Sequence, residues 1–158
     1  MKYTRHHHFV SIAGVILLWA GQAQAVANFS GHWIANEGKL TSTVGMSADC
    51  TKVEIIIEQT ETQIKTRLYD AKCSLFGSKW GPVVQEIRDG KVYEEGVEVG
   101  TITEDTMITV SNSGTYQYAY NLRLKTNAQG QIILESYYGT KGSLGSMVTQ
   151  ALHNRAAP

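Results

Sequence analysis

From Tyr116 to Lys125 the chain changes character at every residue: Tyr116, Tyr118, Tyr120, Leu122 and Leu124 alternate with Gln117, Ala119, Asn121, Arg123 and Lys125. A period of two puts the first set on one face of a β-strand against a core and the second on the other face. The same alternation recurs along the chain. Val53, Ile55 and Ile57 oppose Lys52, Glu54 and Glu58, and Ile64, Thr66 and Leu68 oppose Gln63, Lys65 and Arg67, so residues 51–59 and 62–70 read as a hairpin turning at Thr60-Glu61. Trp80–Arg88 and Lys91–Tyr93 flank Asp89-Gly90, a two-residue hairpin signal, and Glu104-Asp105 separates 97–103 from 106–111. Strands over 28–36, 131–138 and 146–155 bring the total to nine or ten. Short connections leave no room for helical crossovers, which makes the chain an all-β, up-and-down antiparallel meander, and closing first strand onto last removes its exposed edges. The polar stretch Glu37–Asp49 is the longest candidate loop, either a lid over a barrel mouth or the site of a short strand near Leu40–Val44.

The first 25 residues have a different logic. Lys2 and Arg5 precede an apolar run from Phe9 to Ala20, and Ala23-Gln24-Ala25 supplies the small-x-small pattern of a cleavage site. Residues 1–25 therefore read as a signal peptide cut after Ala25, with 26–158 as a single domain, periplasmic or secreted. The apolar run is shorter than the roughly 20 residues of a membrane span, and no stable membrane insertion is expected. The His6-His7-His8 cluster falls in the discarded segment, so no metal site or cofactor is assigned. Removing Lys2 and Arg5 leaves 12 basic against 14 acidic residues, without the basic stripe of a nucleic-acid-binding surface. Both cysteines remain. Reflecting the hairpin about its turn brings Cys50 beside Cys73, and an exported pair so placed is expected to be bridged.

Gly31-x-Trp33 just after the signal, together with Arg155 in the last strand, resembles the tryptophan and arginine that pack across the closed end of lipocalin-like barrels. The chain is thus similar to a divergent lipocalin-like, calycin-type exported domain. The resemblance implies a closed barrel in which Gly31 and Arg155 are structural and the interior holds a small ligand. A guanidinium on an indole face can seal such an end while donating to nearby carbonyls. If Trp33 and Arg155 meet inside, His32 faces outward and His153 inward, on opposite sides of the wall.

The inward candidates for ligand contact are Trp33, Ile55, Ile57, Ile64, Leu68, Tyr116, Tyr118 and Tyr120. The tyrosine row either fills the interior or lines a pocket with apolar rings and hydroxyl handles. No catalytic residue is assigned: Glu94-Glu95 and Glu104-Asp105 are adjacent acids at turns, Ser113-Gly114 has no sequence-encoded base, and Gly142-Ser143-Leu144-Gly145 lacks a phosphate-loop lysine. The expectation is a non-enzymatic protein that binds or sequesters a small apolar or amphipathic molecule. The alternative is a protein-binding module, such as an inhibitor of an extracytoplasmic hydrolase, acting through loops such as Ser111–Thr115 at a barrel end.

Overall fold

A computed structural model describes residues 26–157, all strand and turn; the proposed signal peptide lies outside the described residues. Twelve strands form one antiparallel sheet: β1 (Gly31–Ala35), β2 (Gly38–Ser42), β3 (Ser47–Gln59), β4 (Gln63–Cys73), β5 (Gly77–Trp80), β6 (Val83–Arg88), β7 (Lys91–Glu94), β8 (Val97–Ile102), β9 (Thr106–Ser113), β10 (Tyr116–Thr126), β11 (Ile132–Gly142) and β12 (Gly145–Arg155). Ten of them close a barrel, running β2-β12-β11-β10-β9-β8-β7-β6-β4-β3 and back to β2. The meander inferred from alternation is therefore the observed fold, and two of its positions are each filled by two short strands. β1 sits below β2 between β3 and β12, and β5 shares with β6 the place beside β4.

The Glu37–Asp49 stretch is consequently wall, not lid. Leu40 and Ala48 are buried opposite each other across β2 and β3, and their burial recruits the segment into the sheet. Two tight turns fix the β6–β7–β8 meander. Asp89-Gly90 and Glu95-Gly96 have positive φ at both positions, the type I′ geometry whose twist matches that of the flanking strands.

The end of the barrel carrying Arg155 is shut. Phe29 and Trp33 are fully buried there. The Trp33 indole donates to the Phe29 carbonyl at 2.9 Å, the Arg155 guanidinium lies 4.7 Å from the Trp33 ring centre, and its Nη2 donates to the Ser30 carbonyl at 3.2 Å. Gln59 binds the incoming segment on both sides, accepting from Phe29 N and donating to the Ala27 carbonyl, while Ala27 N donates across to Thr103. Above this plug lies a packed core that includes Val53, Ile55, Ile57, Ile64, Met107, Leu122 and Leu134. The Cys50–Cys73 disulfide joins β3 to β4 toward the opposite end. A bridge of this kind is consistent with an oxidising, extracytoplasmic setting.

Candidate ligand-binding site

The wall is not equally tall all round. β3, β4, β10, β11 and β12 run 11 to 13 residues, whereas β7 and β8 have 4 and 6. Beside this low stretch, in the half of the barrel away from the plug, a cavity of about 390 Å³ opens between Trp80, Gln85, Glu94, Tyr118, Tyr120 and Tyr138. Its volume falls within the range of about 300–1,000 Å³ usual for small-molecule sites.

Each of these side chains is put in place by strand register. Tyr118 and Tyr120 continue the inward row of β10, and Tyr138 faces Tyr120 across the β10–β11 pair. Trp80 enters from β5 opposite Tyr69 of β4, and the two rings stack at 5.1 Å with 11° between their planes. Trp80 meets Tyr120 edge-on at 5.2 Å and Tyr138 at 5.3 Å, so rings from β4, β5, β10 and β11 converge. The buried Gln85 amide donates to Glu94 Oε2 at 2.9 Å, which holds that carboxylate at the cavity wall.

The polar ends of the cluster are incompletely satisfied. The indole N–H of Trp80 is buried with no hydrogen-bond partner among the described residues, while the Tyr69 and Tyr120 hydroxyls have the side chains of Thr149 and Thr66 beside them. Leaving such a group unpaired costs on the order of 1–3 kcal/mol. Burial pushes both phenols well above the ordinary tyrosine range, keeping them neutral, and raises Tyr138 in the same direction. Neutral phenols and an indole offer apolar faces with hydrogen-bonding edges, the chemistry that receives an amphipathic molecule.

The sequence candidates divide between the two halves. Trp33, Ile55, Ile57 and Ile64 lie in the packed core near the plug, away from the cavity lining. Tyr118 and Tyr120 line the cavity, and Tyr120 also fills core, being only 7% exposed. Tyr116 has the same parity but stands 54% exposed at the rim, beside an apolar groove with Val44, Met46 and Leu144. Leu68 does not face inward. Ile56 pairs with Leu68 but Ile57 pairs with Thr66, so Arg67 bulges out of register and the next residues change sides. Tyr69 takes the interior place, fully buried. Gly31 lies against the Trp33 indole and the Arg155 guanidinium.

Trp80, Tyr138, Gln85 and Glu94 were absent from the sequence candidates. Tyr138 shares the parity of Leu134 and Ser136 and is legible from alternation. Trp80 is separated from the rest of its strand by Gly81-Pro82, which breaks the pattern that would have placed it. Glu94 read as a solvated turn acid because nothing local reveals that Gln85, nine residues earlier, meets it across a hairpin. The two histidines among the described residues stand apart as parity requires. His32 is on the outer surface, hydrogen-bonded to Glu54 at 2.7 Å, and His153 is fully buried with Nε2 2.7 Å from the Ser136 hydroxyl. Among the described residues no group of three or more His, Cys, Asp or Glu side chains is placed to hold a metal ion.

No protein-family model matches this chain, and no curated protein matches its sequence. Among solved structures it is similar to an S-type phycobiliprotein lyase from Guillardia theta, with a TM-score of 0.58 and 11% identity over 82% of this chain and 89% of that one. What the two share is the fold. The comparison overturns the expectation that the chain is not an enzyme, since a barrel of this shape is carried by a protein named as a lyase. The expectation relied on the lack of short catalytic motifs. In a barrel, polar side chains are brought together across strands, as Gln85, Glu94 and Tyr118 are here, and leave no local motif.

Proposed function

We propose that the protein is an exported, lipocalin-like barrel that takes up a small amphipathic molecule in the cavity between Trp80, Tyr118, Tyr120 and Tyr138. The observation that carries this reading is a roughly 390 Å³ cavity walled by the rings of Trp80, Tyr118, Tyr120 and Tyr138. The fold's occurrence in a phycobiliprotein lyase supports a barrel that handles a small molecule. The proposed signal over residues 1–25 and the disulfide support export, with Val26–Pro158 as the mature domain.

Native mass spectrometry of the protein purified from its own host tests this directly. The expected result is a co-purifying small molecule that is lost in Trp80→Ala. A chain that emerges ligand-free, and whose cavity takes up no hydrophobic probe in titration, overturns the reading.

A protein partner is the second reading, favoured by one observation. At the open rim Leu144 is 92% exposed and Val44 62%, and with Met46, Tyr116 and Met147 they border a second, apolar groove of about 420 Å³. Exposed apolar surface of this kind on separate turns suits docking. Recovery of one stoichiometric partner by the mature chain, abolished in Leu144→Ser, is the result expected of it; retention of that partner by the variant removes the rim from the interaction.

A further inference from the structure

The cavity wall carries formal charge at a single place. Its lining combines aromatic, hydroxyl and amide side chains with Glu94, and among the described residues no lysine, arginine or histidine contributes to it. Glu94 is also held in position, because its Oε2 accepts from the amide of Gln85, itself only 7% exposed. A carboxylate fixed by one hydrogen bond keeps further acceptor capacity for a donor on a ligand.

Trp80 stacks flat on Tyr69 and meets the other rings of the cavity at angles. Trp80 makes 85° with Tyr120 and 41° with Tyr138, at centroid distances of 5.2 and 5.3 Å. Several aromatic rings thus border the same space, and aromatic faces attract cations through the ring quadrupole. An anion entering here sheds water beside a carboxylate and meets no cationic side chain in return. A cation meets a carboxylate and several ring faces.

We infer that this cavity selects a cationic amphipathic ligand, an organic amine whose ammonium pairs with Glu94 and whose apolar body lies among Trp80, Tyr120 and Tyr138. The inference rests on the cavity being a ligand site, as proposed above, and adds the charge class of what it takes.

A matched pair of probes tests it. Naphthylmethylamine and naphthoate have the same aromatic body and opposite charge near neutral pH, and each is titrated calorimetrically into the mature chain. The expected result is that the amine binds at least about ten-fold more tightly than the carboxylate. Glu94→Gln is expected to bring the two within about two-fold, while Glu95→Gln, at the exposed neighbour in the same turn, keeps the preference; a general field effect would respond to both substitutions. Naphthoate binding as tightly as the amine overturns the inference and leaves the cavity reading standing, as does a preference that survives Glu94→Gln. Binding of neither probe overturns both. The comparison in the unsubstituted chain decides the charge class even if Glu94→Gln fails to fold.

Discussion

His153 shows what a single position can hold and what parity alone reveals about it. Its inward facing follows from its sharing a face with Arg155, and the stacking of Arg155 on Trp33 fixes that face. Its chemistry follows from burial, which drives the imidazole down from 6.5 to about 4 against the opposing effect of a backbone hydrogen bond at Val53. A neutral buried base contributes stability that is complete above the unfolded pKa. As pH falls below about 6.5 the unfolded chain binds a proton that the folded chain refuses until about pH 4, and stability declines through that window by up to about 3 kcal/mol. Urea unfolding followed from pH 7 to pH 4 is expected to show this decline in the native chain and a shallower one in His153→Gln. Glu54 also loses stabilising ionisation on acidification, since Lys52 and, to a lesser degree, His32 hold its carboxyl below the usual range. Its share is common to both chains and drops out of the difference. Equal slopes for the two proteins remove His153 as the titrating group.

At the scale of elements, the β3–β4 hairpin was the most legible part of the chain and also the site of its main misreading. Two regular arms and a central turn were enough to bring Cys50 opposite Cys73. Replacing both with serine is expected to cost about 3 kcal/mol, the chain-entropy value for a loop of this size, measured as a drop in urea midpoint that reductant reproduces in the native chain. Alternation counts residues and has no way to register an extra one, so the Arg67 bulge reversed the facing of Leu68 and hid Tyr69. The bulge has a counterpart across the strand pair. Gly81 has φ +124°, and a Cβ there would sit 2.5 Å from the Arg67 carbonyl oxygen. Any other residue must displace backbone at the join of β5 and β6, the join that delivers Trp80 to the cavity. Gly81→Ala is expected to destabilise by about 2 kcal/mol or more. Gly96→Ala is the control: φ is +81° but nothing lies within 4 Å, so only the backbone penalty of about 1 kcal/mol remains. Equal losses in the two variants rule out the close approach to Arg67 as the cause.

Along the barrel axis a packed, plugged half gives way to a half that holds the cavity, and this division explains which site residues were legible. Trp33, Ile55, Ile57 and Ile64 were visible as apolar members of regular strands, and regular strands make the packed, plugged half. The cavity sits where the pattern is interrupted, at a bulge, a kink and a short hairpin, and its lining mixes aromatic with polar side chains that strand patterning does not group together. The two described tryptophans report on these halves separately, Trp33 in the plug and Trp80 in the cavity wall. Trp33→Ala removes a fully buried indole, the floor on which Arg155 stacks, and is expected to cost about 3–5 kcal/mol while the folded fraction keeps its ligand affinity. Trp80→Ala removes a half-buried ring at the edge of an existing void. It is expected to cost less than half as much, because little new cavity is created, and to weaken ligand uptake by at least about ten-fold. Chemical denaturation and probe titration on both variants decide the matter. If Trp33→Ala weakens binding as much as Trp80→Ala does, the two halves are coupled and the barrel cannot be divided into a structural end and a binding end.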